Sequence, residues 1–171
     1  MTHRRPILAL DPGLRELGYA VLNGPNLIAS GVGALRFLPE DQRVLEAKRL
    51  VRHWVRLYHP GTVVVERTTE HPTQGLARVH RFAQYVQRMA HRCGQTVVVY
   101  SAQQVRKHLV GNGWASKDEV AGFIVQRFPV LRIYLTQDRQ WKERYWQNMF
   151  DAVALALHHE AHPPSRSRSC G

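Results

Sequence analysis

Over 171 residues the chain carries 24 lysines and arginines against 13 aspartates and glutamates, a formal net charge of +11. That length suits one domain with a real core, and a composition of 44% hydrophobic and 22% charged residues excludes wholesale disorder, while no stretch approaches the roughly 20 apolar residues of a membrane span. So high a positive charge on a folded chain points to a phosphate-rich partner, nucleic acid ahead of an anionic membrane, with solubility as the plainer explanation.

The apolar run Ile7 to Leu10 stops at Asp11-Pro12-Gly13 and reads as a buried strand closed by a turn. Leu17 to Leu22 and Leu27 to Leu35 are two further strands around the turn Asn23-Gly24-Pro25-Asn26. Pro39-Glu40-Asp41 opens a helix whose apolar positions, Val44, Ala47, Val51, Trp54, Val55 and Tyr58, recur at helical spacing until Pro60-Gly61. Val63 to Val65 form another buried strand with Glu66 at its end. A second helix is expected from about Thr73 to Arg92, with Leu76, Val79, Phe82, Ala83, Val86 and Ala90 facing the core. Thr96 to Tyr100 is the fifth strand. Ser101 caps a short helix through His108, Gly111-Asn112-Gly113 makes a turn, and Ser116 with Glu119 forms a capping box for a helix from Lys117 to Phe128. Pro129 to Arg144 carries no readable period, and a last helix spans about Tyr145 to Glu160. The order predicts an α/β protein, a mixed sheet covered by helices, in a single domain of residues 1–160 followed by a disordered basic tail, 161–171. Met1 to Pro6 show no signal-peptide cleavage pattern, and two cysteines, Cys93 and Cys170, make neither a disulfide framework nor a zinc site alone, so the expected location is cytoplasmic.

Three acids fall where a core would not choose them. Asp11 follows four apolar residues, Glu66 follows three valines, and Asp151 lies among Met149, Phe150, Ala152 and Val153. A carboxylate at the end of a buried strand is costly without a partner, and strand ends are where α/β sheets bind ligands. Converging acids from two strands and a helix make an oxygen-ligand site for Mg²⁺ or Mn²⁺, the kind that phosphoryl chemistry uses. Singly, each acid has a plainer explanation: a turn residue, a surface ion pair, or a carboxylate near a helix start.

The stretch from Ile7 through Asp11-Pro-Gly to Val21 resembles the opening of the RuvC-type Holliday-junction resolvases of the RNase H-like superfamily. Val63-Val-Val-Glu66 is similar to their second acidic strand, and Gln104-Val-Arg-Lys107 with Val110-Gly-Asn-Gly-Trp-Ala-Ser-Lys117 to their lysine-bearing segment. Asn148-Met-Phe-Asp151 through His159 resembles their last motif, a helix with two metal ligands one turn apart. Four ordered motifs over residues 7–159 are fairly specific. The resemblance implies an RNase H-like fold, a five-stranded mixed central sheet flanked by helices. It also implies a site of two Mg²⁺ (or Mn²⁺) ions held by Asp11, Glu66, Asp151 and the Asn148 position. Such a site hydrolyses a DNA phosphodiester to 5′-phosphate and 3′-hydroxyl ends. Lys117 and the basic pair Arg106-Lys107 would face scissile or neighbouring phosphates, where a lysine can stabilise developing charge. The implied partners are branched DNA, a four-way junction, and a second copy of the chain in a homodimer. Two positions depart from the family. Asn148 stands where Asp or His is usual, which suits a three-acid site, an inactivating replacement, or a relative that binds junctions without cutting. Arg67-Thr68-Thr69-Glu70 replaces the aromatic that often follows the second acid; Glu143 and Asp138, upstream of Asn148, are acids that could substitute for it, although helical spacing does not clearly bring either into place.

Basic residues mark further contacts to nucleic acid. Arg78, Arg81, Arg88 and Arg92, with Tyr85, recur every three or four residues opposite the apolar face of the second helix, either a phosphate-facing stripe, a dimer face or a solvated surface. Arg67 beside Glu66 is another candidate, and Trp114 is either a base-stacking aromatic or a core filler. Trp141, Tyr145 and Trp146 read as core, His158-His159 as a helix-end pair favoured by the dipole, and Cys93 as a small buried hydrophobe. The competing reading is an RNase H-like nuclease of structured RNA, of the pre-rRNA processing kind, although such proteins are usually shorter and lack the Gly-Asn-Gly-Trp-Ala-Ser-Lys segment.

Overall fold

A computed structural model describes residues 5–67, 76–141 and 145–163, the side chains of 138–141 excepted. Five strands form one sheet in the order β3-β2-β1-β4-β5: β1 (Ile7–Pro12), β2 (Glu16–Asn23), β3 (Asn26–Ala34), β4 (Thr62–Arg67) and β5 (Val97–Ser101). β1, β2 and β3 pair antiparallel as a meander, whereas β4 and β5 join β1 in parallel. Parallel neighbours need crossover connections, and the helices α1 (Glu40–Tyr58) and α2 (Ala77–Arg92) provide them. The expected five-stranded mixed sheet is the one found.

Alternation along the strands divides the core in two. Leu8, Leu10, Leu17, Val21, Val63 and Val65 pack with Ala47, Val51 and Trp54 of α1 and Phe82, Val86 and Ala90 of α2. Ile7, Ala9, Ala20, Leu22 and Val64 face the other way, toward α3 (Ala102–Val110), α4 (Lys117–Arg127) and α6 (Gln147–Ala161). Asp11 continues the Ile7-Ala9 series and Glu66 follows Val64 by two, so both acids share the α6 face.

The caps follow the sequence closely. Ser101 and Ser116 each form a full capping box, with Gln104 and Glu119, and Gly111 closes α3 in the left-handed region at φ 77°. Three expectations need correction. The unreadable stretch contains a 3-10 turn (Pro129–Leu131) and a further helix, α5 (Arg132–Trp141). Its run Ile133-Tyr134-Leu135-Thr136 has strand-like composition and no capping signal, yet Tyr134 and Leu135 pack against the α6-side core, which decides for helix. Leu76 is not core: it precedes α2 and is 49% exposed, because the helix begins at Ala77 among the described residues. Cys93 is half-buried. Residues 73–75 and 164–171, with Cys170 and most of the expected tail, lie outside the described residues.

Candidate active site

Asp11 and Glu66 are brought together by strand register. β1 and β4 run parallel with Ala9 opposite Val64 and Leu10 opposite Val65, so the next position along sets Asp11 beside Glu66. Neighbouring strands lie about 4.8 Å apart. Asp151 arrives from α6, which descends closely onto β2 because Gly18 carries no side chain. A Cβ on Gly18 would lie 2.0 Å from the Asn148 carbonyl oxygen, and one on Gly13 would lie 2.4 Å from Asn148 Nδ2. These glycines let the helix approach until Asp151, one turn beyond Asn148, joins the two strand acids.

The electrostatics show the three acids sharing one environment. Burial, followed by the charges of Glu66 and Asp151, raises Asp11 well above the ordinary carboxylate range, against the pull of Lys117. Burial pushes Glu66 up to about 7, with the Asp151 charge adding to the rise and Lys117 and Arg106 opposing it. Lys117 Nζ donates to Asp151 Oδ2 at 2.8 Å, and Gln147 Nε2 donates to Asp151 Oδ1 at 3.1 Å. Burial works against the Lys117 charge, but Asp151, then Asp11 and Glu66, outweigh it and hold the ammonium above its ordinary value. The structure therefore brings together Asp11, Glu66, Asp151 and Lys117, with Arg106 close enough to act on Glu66.

Asn148 is held differently. Its Nδ2 donates to the Glu16 carbonyl at 3.3 Å and reaches the Asp11 carbonyl at 3.5 Å, so the amide ties α6 to the β1–β2 turn. Glu16 itself is buried against Arg36, whose Nε donates to Oε1 at 2.8 Å. Sequence reading missed this pair, Gln147 and the two close-approach glycines; only the short Gly13 and Gly18 spacing around the first acid hinted at them. Of the nearby acids, Glu143 and the Asp138 side chain lie outside the described residues, as do 68–70 of the Arg67-Thr-Thr-Glu segment.

The basic candidates divide by location. Lys107 is exposed near the end of α3, and Arg67 is exposed at the end of β4, one residue past Glu66 and therefore on the other face of the strand. Arg78, Arg81 and Arg88 line a groove between α1 and α2 with Arg43 and Tyr85, over Leu14, Val44 and Phe82, and Arg78 pairs with Glu40 at 2.6 Å. Trp114 is not a core filler: it is 82% exposed on a turn held by Asn112 Oδ1, which accepts Trp114 N–H at 2.9 Å. Trp146, by contrast, packs on Tyr134 and donates Nε1 to Gln137 Oε1, as core residues do, with Tyr145 beside it; the Trp141 side chain lies outside the described residues. His158 is no dipole-favoured cation, since burial and neighbouring imidazoles lower it to about 4 and leave it neutral at pH 7.

Known proteins are similar to this chain. A family profile described as "Crossover junction endodeoxyribonuclease RuvC" matches residues 7–159. A protein of that name from Corynebacterium diphtheriae is 29% identical over 160 residues, covering 89% of this chain and 91% of its own. Another from Synechococcus sp. (strain WH7803) is 30% identical over 119 residues, covering 67% of this chain and 77% of its own. Among solved structures, Thermus thermophilus RuvC in complex with a Holliday junction substrate superposes with a TM-score of 0.68 at 23% identity, over 91% of this chain and 93% of that one. The yeast mitochondrial Holliday junction resolvase Ydc2 gives 0.54 at 13% identity, over 92% and 79%, a likeness of fold. With its acid-bearing strands, its last helix and 153 consecutive positions (7–159) accounted for, the chain belongs to the RuvC family of crossover junction endodeoxyribonucleases.

Proposed function

We propose that this chain resolves four-way DNA junctions by metal-dependent hydrolysis of phosphodiesters, acting as a homodimer in the cytoplasm through one domain, residues 1–160. The observation that carries the reading is the convergence of Asp11, Glu66 and Asp151 on one face of the sheet, with Asp11 raised by burial and the charges of Glu66 and Asp151, and Glu66 by burial and the charge of Asp151. Such oxygen donors, crowded and under-neutralised, fit Mg²⁺ or Mn²⁺, two per site by family likeness, and suit softer metals poorly. Held by Asp11, Glu66 and Asp151, divalent cations would supply an activated water and stabilise charge on the leaving oxygen.

The remaining steps belong to the chain. Gln147 fixes one oxygen of Asp151 and so orients the carboxylate. Lys117 keeps its proton on Nζ, held above its ordinary pKa, and offers a compact positive charge to the scissile phosphate. Arg106, which acts on Glu66, and the exposed Lys107 and Arg67 position neighbouring phosphates, while exposed Trp114 stacks on an unpaired base. Arg78, Arg81 and Arg88 extend the basic surface along the α1–α2 groove.

Asn148 supports a native three-acid site. Its amide donates to two backbone carbonyls, a task that a carboxylate performs badly, since it would present charge to both oxygens. A labelled four-way junction incubated with Mg²⁺ or Mn²⁺, beside linear duplex and an RNA–DNA hybrid, tests the proposal. Paired symmetric cuts confined to the junction are expected, with Asn148→Asp cleaving no faster. Preferential cutting of the RNA-containing substrate would overturn the reading, and a gain of cleavage only in Asn148→Asp would overturn the three-acid site.

A further inference from the structure

The C-terminal end of α6 is crowded with imidazoles. His158 and His162, the C-cap residue, are four positions apart, so their side chains lie on one face of the helix, and His108 in the last turn of α3 meets them. Ring centroids are 5.1 Å apart for His108–His158, 4.3 Å for His108–His162 and 5.3 Å for His158–His162. One nitrogen from each ring lies within 4.8 Å of the other two. His158 is buried, at 8% exposure, and its Nδ1 has no hydrogen-bond partner, which is rare for a buried ring nitrogen. Burial, with the surrounding imidazoles, lowers His158 to about 4, and burial followed by His162 lowers His108, so both rings carry a free lone pair at pH 7. Tyr100 braces the group: its Oη donates to the His162 carbonyl at 3.1 Å, meets His159 Nδ1 at 3.0 Å, and its ring stands edge-on to His158 at 4.5 Å.

We propose that His108, His158 and His162 form a site for one divalent transition-metal ion of the Zn²⁺ class, bound by three imidazoles with the fourth position open to solvent. Imidazole donors select Zn²⁺, Ni²⁺ or Cu²⁺ and disfavour Mg²⁺, so the site does not compete for the ion of the carboxylate centre. It is also distant from that centre, because His158 lies seven residues past Asp151, about 10 Å along the helix. Tetrahedral Zn²⁺ with bonds of about 2.0–2.1 Å sets its nitrogens roughly 3.4 Å apart. Rotation of exposed His162 and of His108 closes the present span while buried His158 stays in place. The orphaned Nδ1 then gains a ligand bond. A bound ion ties the end of α6 to α3, immediately before the Gly111-to-Trp114 turn that leads to Lys117.

The site does not depend on the nuclease reading, and its test removes the catalytic acids. Full-length chain carrying Asp11→Asn, Glu66→Gln and Asp151→Asn is stripped with chelator and titrated with Zn²⁺ by calorimetry in Mg²⁺ buffer, and with Co²⁺ by visible absorption. One equivalent of Zn²⁺, the intense visible bands of tetrahedral Co²⁺, and a rise in Tm with Zn²⁺ are expected. Affinity should fall at least tenfold in His162→Ala, an exposed position that leaves the fold intact by circular dichroism, and likewise in His108→Asn. Absence of Zn²⁺ uptake, or uptake unchanged in both histidine variants, overturns the proposal.

Discussion

Glu66→Gln should make the metal-free protein more stable at neutral pH while destroying its activity. Glu66 ionises at about 7 in the fold against an ordinary 4.5, because burial and the Asp151 charge oppose its negative form. A group whose folded pKa is raised binds protons more tightly folded than unfolded, so stability declines as pH climbs from the unfolded value to the folded one. The loss begins near pH 4.5, accumulates to about pH 7, and is constant above that. At about 1.36 kcal/mol per pKa unit, it reaches roughly 3 kcal/mol. Glutamine keeps the shape and removes the charge, so the variant escapes the loss. At about 2–4 °C per kcal/mol for a chain of this size, Tm should rise by about 6–12 °C at pH 8 and change little at pH 4.5. Thermal unfolding of both proteins in chelator across that range measures the difference. A variant equally or less stable at pH 8, or a gap independent of pH, would refute the account of a crowded, under-neutralised acid cluster. Added Mg²⁺ should narrow the gap by stabilising only the parent.

Other variants probe the remaining parts of the site. Asp11→Asn and Asp151→Asn should reduce junction cleavage below detection while leaving gel-shift affinity for the junction within about threefold; retained cleavage in either would remove that acid from the centre. Lys117→Ala should slow single-turnover cleavage by about 10²-fold, the scale of losing one donor to developing charge, and an unchanged rate would confine Lys117 to its pairing with Asp151. Gly18→Ala places a methyl 2.0 Å from the Asn148 carbonyl oxygen, so α6 must shift, at a cost of about 3 kcal/mol in urea unfolding and with loss of cleavage. A Gly18→Ala protein of parental stability would mean that close approach does not set the position of α6.

Much of this molecule is local in origin and was legible in the chain. The five strands followed from apolar runs bounded by Asp-Pro-Gly, Asn-Gly and Gly turns, and the Ser101 cap and the Ser116–Glu119 capping box from their serines, while the Gln104 half of the first box emerged only in the structure. Asp11, Glu66 and Asp151 stood out because an acid after a run of apolar residues conflicts with burial unless something compensates it. What depended on distant residues was not legible. α5 formed against its own strand-like composition because packing of Tyr134 and Leu135 outweighs propensity. The donor role of Asn148 and the meeting of His108 with His158 and His162 each join segments far apart in sequence, and the exposure of Trp114 depends on what the folded chain leaves uncovered. The amino-acid sequence by itself determined which groups are costly to bury and where the strands and every helix but α5 lie, to within a few residues. Only the tertiary structure decided which of those groups meet, because strand register and the approach of α6 over Gly18 set those distances.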